Sequence, residues 1–320
     1  MKQFMRGAIA LALCAAATLA CAFPDKPVRL VVPYPAGGPV DIATRIVAER
    51  LTAAWGQPVV VDNRPGASGA IGTEHVVKSP ADGHTLLVHS PIMLATELIR
   101  PGVGYRTLRD LVPVSLVLAT PVVYVASNAS TKGGIPEILA AAAARPGELS
   151  FGSHGDGTTA HYLGEKLARA SRVPMTHVPY AGEAPILTAL MGGHVMTSFV
   201  SGIGARKLAE TGKARMLAVA SRSRSPLLPG VPTFLELGYA GFDRSSWAMV
   251  FAPAGTPAGV VEQAARDIDR IVQQPDIQQR FAALGMEARG GAPADALREL
   301  QEDHAYWVAL VKDFGALATQ

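Results

Sequence analysis

From Val28 onward the chain alternates short β-branched runs with amphipathic stretches: VRLVVPY, IATRIVAERLTAAW, PVVVDN, GAIGTEHVVKS and TLLVHS. That alternation calls for parallel strands joined by crossover helices, and so for the α/β fold class. A second series begins after Pro121 with VVYVAS, LSFGSH, MTHVPY, HVMTSFV and ARMLAVAS. Between these runs, helices are expected around Pro136 to Ala144, from Thr158 to Ala170 and from Ala184 to Met191. A Pro- and Gly-rich stretch from Ser225 to Pro257 then carries the chain back. Beyond it, helices are expected at Ala258 to Gln273, Asp276 to Leu284 and Pro293 to Phe314. In the last of these, Leu297, Leu300, His304, Trp307, Val308 and Val311 fall at helical spacing. At 320 residues the chain exceeds a single core of ordinary size. Two series and a helical return therefore divide it into 23–120, 121–224 and 225–320, with the first and third parts in one domain.

Residues 1–22 stand apart. Lys2 and Arg6 precede an apolar run from Gly7 to Leu19 that ends in Ala20-Cys21-Ala22, the layout of a secretory signal peptide cleaved after Ala22. The alternative is a lipoprotein site with Cys21 kept as the acylated terminus. Either reading exports the chain, which places it in the periplasm. Both cysteines, Cys14 and Cys21, lie in this segment. Cleavage after Ala22 leaves neither a disulfide nor a thiolate. Loss of Lys2 and Arg6 leaves 27 basic against 26 acidic residues, a net charge of +1 in place of +3. A nearly neutral chain without a basic run is a poor nucleic-acid binder.

Two glycine-rich turns each follow a strand-like run and open onto a helix. The first is Ala36-Gly37-Gly38-Pro39-Val40-Asp41, and the second runs from Gly152 through Ser153, His154, Gly155, Asp156, Gly157 and Thr158 to Thr159. A helix N-terminus presents unpaired N–H groups and the positive end of its dipole, so a small anion docks there without a basic side chain. Two such termini facing one another make a clamp. Asp41 reads mainly as a helix cap, because a carboxylate aimed at an anion repels it. Thr158 and Thr159 can cap or donate to a ligand, and Asn63 to Gly69 is a third small-residue turn, either a plain reversal or another wall of the cleft.

The second turn formally contains GxGxxA. The acidic residue a dinucleotide fold needs about 20 positions on is absent from THVPYAG, and there is no GxxxxGK[ST] loop. Ser153, His154, Asp156 and His161 include the residue types of a serine triad, but neighbours in one tight loop rarely reach its geometry, and no GxSxG elbow occurs. The histidines lack metal spacing. A binding protein without cofactor, metal or catalytic residues is the expectation, and a secreted enzyme acting on a small carboxylic acid or ester is the alternative.

These residues also carry a resemblance. PYPAGGPVDIATR, VVVDNRPGASGAIG, SPADGHTLL, GSHGDGTTAHYLGE, VPYAGEAPILTALMGGHV, LPGVPTFLELGY and FAPAGTPAGVV, in order from about Pro27 to Gly315, resemble the Bug-type periplasmic solute-binding proteins, the extracytoplasmic receptors of tripartite tricarboxylate transporters. The resemblance implies two doubly wound α/β domains joined by hinge crossings, a periplasmic binding protein of type II architecture, closing as a monomer on a small organic acid. It implies that the loops at Ala36–Asp41 and Ser153–Thr159 hold carboxylate oxygens, partly through water. Ser90, Pro91 and the stretch from Tyr180 to Gly182 line the same cleft. The implied partners are membrane transporter subunits or a sensor kinase. The chain departs from the usual pattern at Ala181 (commonly Lys), at Glu183 (commonly Gly) and at Met196 (commonly acidic).

Overall fold

The computed structural model describes residues 23–100, 102–155 and 158–314. Residues 1–22, where a signal peptide is expected, and Asp156 and Gly157 lie outside them. Eleven strands are described: β1 (Val28–Val32), β2 (Val59–Asn63), β3 (Thr85–His89), β4 (Leu111–Thr120), β5 (Val122–Ser127), β6 (Ser150–Ser153), β7 (Thr176–Pro179), β8 (Thr197–Ser201), β9 (Ala214–Ala220), β10 (Ser246–Pro253) and β11 (Glu287–Ala288). The helices are α1 (Pro39–Trp55), α2 (Ala70–Val77), α3 (Ile92–Ile99), α4 (Thr107–Asp110), α5 (Ile135–Ala143), α6 (Thr159–Ser171), α7 (Glu183–Gly192), α8 (Gly202–Glu210), α9 (Ala258–Val272), α10 (Pro275–Ala283) and α11 (Pro293–Phe314).

The strands form two sheets. One has the order β11-β4-β10-β3-β1-β2, the other β7-β6-β8-β5-β9. Within the first, β1 pairs in parallel with β2 and β3; within the second, β6 pairs in parallel with β7 and β8. The expected all-parallel pattern fails where the chain changes sheets. There β10 runs antiparallel between β3 and β4, and β5 antiparallel between β8 and β9. A strand entering from the other sheet has no crossover helix to turn it round. The chain leaves the first sheet between Thr120 and Val122 and returns between Ala220 and Ser246.

Each sheet is buried on both faces, which is why its strands read as nearly continuous apolar runs. In β1, Leu30 and Val32 pack beneath α1 and α9 with Val47, Leu51, Ala264 and Ile268, while Val31 faces Met93, Leu94, Leu300 and Trp307 of α3 and α11. In β5, Tyr124 meets Leu163, Phe199 and Phe234 on one face, and Val123 and Val125 meet Ile186 and Leu190 on the other. The Pro- and Gly-rich return is therefore not a bare linker. Its Phe234 and Phe242 stack with ring centroids 4.5 Å apart inside the second sheet's core. Phe23 packs edge-on against Trp55 at 5.5 Å.

The face of α11 differs from expectation. Ala296, Leu300, Asp303, Trp307 and Leu310 are buried, whereas Leu297 and Val308 are 39% and 41% exposed. The stripe is rotated because α11 lies against both β4 and α6, where Trp307 meets Tyr162 edge-on at 5.5 Å.

Candidate functional site

A cleft of about 570 Å³ opens between the two sheets. From the first sheet come Ala36, Gly38, Pro39 and Val40 at the start of α1, Ser90, Pro91 and Ile92 at the start of α3, and Ser246 with Trp247 of β10. From the second come His154, Thr158 and Thr159 at the start of α6, Glu183 of α7, and Phe199 to Ser201 of β8. Thr120, Pro121 and Val122, where the chain changes sheets, complete the wall. Most lining groups are apolar, and among the described residues none is a lysine or arginine.

The helix starts are not equivalent. The N-caps of α1 and α6, Gly38 and Thr158, make no side-chain cap bond. Thr158 instead donates its hydroxyl to the Gly155 carbonyl at 2.7 Å. First-turn amides of both helices therefore lack intrahelical acceptors and border the cleft. At α3 part of this capacity is used, since the Met93 and Leu94 amides donate to Ser90 and Pro91 carbonyls. At α8 it is used further: the Ser201 hydroxyl oxygen accepts from the Gly204 amide at 3.1 Å.

Several expected residues shape the loops from outside the lining. Asp41 is not the cap. It is the third residue of α1, 1% exposed, and one oxygen accepts from the Gly37 amide at 2.9 Å and from Arg45 at 3.0 Å while the other accepts from Asn63 at 2.9 Å. Burial pushes this carboxyl up, but Arg45, the Gly37 amide and Asn63 outweigh it and hold it below the usual carboxylate range. Its contribution to stability is then present above the ordinary carboxylate pKa and lost as pH falls through the lowered value. Asp41→Asn should cost about 1–2 kcal/mol at pH 7 in urea unfolding, with a smaller difference at low pH. The turn from Asn63 to Gly69 acts as a support, not as a wall. Asn63 ties Asp41 to the Tyr34 carbonyl, and Gly69 packs on the buried His89.

Ser153 is fully buried. Its Oγ lies 2.6 Å from His177 Nε2, donates to the Gly155 carbonyl and accepts the Gly155 amide at 3.1 Å. It fixes the second loop from beneath, and Gly155 follows it with φ +109°. Tyr180 continues the β6 ladder by donating its amide to the Ser153 carbonyl and packs its ring over Gly152. Gly37, Asp41, Ser153, Gly155, Tyr180 and Gly182 thus do not line the cleft, whereas Ala36, Gly38, Ser90, Pro91, His154, Thr158 and Thr159 do. Gly157 lies outside the described residues.

Beyond the expected set, the lining includes Glu183, Ser201, Ser246 and Trp247. Glu183 Oε1 accepts the Ser201 hydroxyl at 2.6 Å and Oε2 accepts the Ser201 amide at 2.9 Å, with His154 Nε2 3.6 Å away. Burial raises the Glu183 carboxyl, yet His154 and the two Ser201 donors outweigh it and keep it below its ordinary value. The signal for Glu183 was its standing where Gly is usual. Its partner, 18 residues on, left no local pattern.

Residues 43–316 match the tripartite tricarboxylate transporter family receptor. A relative from Pseudomonas sp. strain P51, the UPF0065 protein in the tcbD-tcbE intergenic region, is 38% identical over 98% of this chain and 94% of its own. Among solved structures, Rpa4515 of R. palustris with adipate is 33% identical with a TM-score of 0.77, covering 91% of this chain and 97% of that one. MatC (Rpa3494) from Rhodopseudomonas palustris with bound malate is 30% identical with a TM-score of 0.73, over 90% of this chain and 100% of that one. With two helix-bearing sheets flanking one cleft and a match spanning most of its length, the chain belongs to the receptor family of the tripartite tricarboxylate transporters, whose members are solute-binding proteins.

Proposed function

We propose that this chain captures one small organic acid between its sheets, holds a carboxylate at the facing starts of α1 and α6, and releases it unchanged to a membrane partner. The observation that carries this reading is that two helix starts without side-chain caps, contributed by different sheets, border one cleft. Each contact from an amide to a carboxylate contributes roughly 1.5–3 kcal/mol, so a few of them reach micromolar affinity after ordering costs. The adipate and malate bound in the two Rhodopseudomonas proteins support the ligand class. One domain comprises 23–120 with the chain from Ser246 on. The other runs from 121 through Phe242, past the expected boundary at 224, because Leu228, Val231, Phe234 and Phe242 pack in the second sheet's core; the two close about the sheet-changing segments. The chain works as a monomer in the periplasm after loss of 1–22, without cofactor or nucleic acid. It delivers its ligand to transporter subunits or to a sensor kinase.

The Ser153–His177 pair is what favours the rival, a secreted hydrolase. A nucleophile with no exposed surface cannot meet a substrate, so the pair is structural and no turnover is expected. Thermal unfolding with mono-, di- and tricarboxylates, amino acids and nicotinate tests the whole reading. A true ligand at ten times its Kd should add about 1.4 kcal/mol of stability and be recovered intact. A response to a neutral sugar or a cation, with none to any acid, would overturn it.

A further inference from the structure

Glu183 occupies an unusual place for a side chain in a cleft built to receive an anion. It is the first residue of α7, yet its carboxylate lies across the start of α8. There it takes the Ser201 amide and the Ser201 hydroxyl, one on each oxygen. The same hydroxyl oxygen caps the Gly204 amide, so Ser201 is engaged three ways. The approach is close: a Cβ on Gly204 would collide with Glu183 Oε1. The donors at the start of α8 that a ligand's anion would use are thus already filled by a carboxylate belonging to the chain. By contrast, among the described residues the N-caps of α1 and α6 make no side-chain cap bond.

From this we infer that Glu183 is a specificity-determining residue: it restricts the cleft to ligands with a single carboxylate, held at α1 and α6, and excludes a second carboxylate from the α8 end. The inference rests on the carboxylate reading of the cleft and narrows it. A second ligand carboxylate reaching α8 would meet a fixed negative charge at close range in a partly desolvated site, where like charges repel far more than in water. It would also find the Ser201 donors taken. The rest of the lining fits the remainder of such a ligand. Val122, Phe199, Leu118 and Trp247 offer apolar surface to a hydrocarbon body. His154 does not restore a dicarboxylate site, because its Nε2 faces Glu183 at 3.6 Å and is committed to that carboxylate.

Calorimetric titration with matched pairs of acids tests this, each pair sharing one carbon skeleton: butyrate and succinate, hexanoate and adipate, octanoate and suberate, benzoate and terephthalate. At pH 7.5 the monoacid of the preferred pair should bind at least tenfold more tightly than the diacid. Glu183→Gln keeps the shape and can still accept the Ser201 amide, so it should tighten the diacid at least tenfold while changing the monoacid less than threefold. Glu183→Ala, which frees the Ser201 donors, should favour the diacid further. The wild-type ratio needs no variant, so the inference stays open to refutation even if a substitution fails to fold. Equal affinity for the two members in the wild type, or a ratio unmoved by folded Glu183 variants, overturns the role of Glu183 and leaves the carboxylate reading intact. Failure to bind either member of every pair removes the carboxylate reading, and this inference falls with it.

Discussion

Replacement of Gly38 by valine is expected to weaken binding of the organic acid at least a hundredfold, about 2.7 kcal/mol, while the protein stays folded. Gly38 is the N-cap of α1 and lines the cleft. Its backbone sits at φ −77° and ψ 166°, an extended conformation that suits a β-branched residue. A Cβ there meets only the Pro35 carbonyl oxygen, at 3.7 Å. The fold therefore accepts the side chain, at a cost of no more than about 1 kcal/mol for the poorer cap. The ligand does not, because the valine methyls stand where a carboxylate must approach the first-turn amides. Gly37 gives a less clean test: at φ +86° any branched residue is strained whatever it does to binding. Calorimetry and a thermal melt on the same preparation separate the two effects. Undiminished affinity in a folded Gly38→Val protein would remove α1 from the site.

That a helix starts at Gly38 was legible in the sequence, and the reason extends to the other elements whose bounds agree with it. Strand, glycine turn and helix start lie within a few residues of one another, so period, punctuation and cap all speak locally. The same locality gave the bounds of α6, α9 and α11 to within about two residues. What depended on distant partners did not show. The antiparallel insertion of β10 between β3 and β4 is set by where the returning chain lands, and β4 runs unbroken through Pro113 while its pairing with β10 carries two register shifts. Ser153 looked like a ligand donor because its hydroxyl sits in a glycine loop, and only the fold brings His177 of β7 to within 2.6 Å of it. Asp41 carries the residue type of a cap at nearly the right position, but its acceptors are filled by Gly37, Arg45 and Asn63. Asp303 is the clearest loss. Its charge removed it from the apolar stripe read along α11, yet it is among the most buried positions of that helix.

That burial has a measurable consequence: the protein should lose stability on going from pH 5 to pH 8, and Asp303→Asn should abolish the loss. Asp303 is 2% exposed, accepts the indole N–H of Trp247 on one oxygen, and has Arg244 Nη1 3.2 Å from the other. Burial pushes its carboxyl up to about 7, with Glu299 adding to the rise, while the Trp247 bond, Arg244 and Arg222 work against it. Arg244 is shared, since it also reaches Glu299 and Glu302, and Arg222 pairs with Glu302. The positive charge that would hold Asp303 ionised is thus divided among three carboxylates. The folded pKa lies above the unfolded value, so the stabilising contribution is complete below the ordinary carboxylate range and lost as pH rises through about 7. The shift corresponds to a difference on the order of 2–4 kcal/mol across that window. Asparagine cannot ionise and still accepts the Trp247 N–H, so other titrating groups cancel when the two proteins are compared. Urea unfolding at pH 5, 6, 7 and 8 supplies the comparison. Because Trp247 also lines the cleft, its emission should titrate with the same midpoint in the wild type and stay flat in the variant. Equal pH slopes in the two proteins would show that Arg244 keeps Asp303 ionised throughout, and that the back wall of the cleft does not respond to protons.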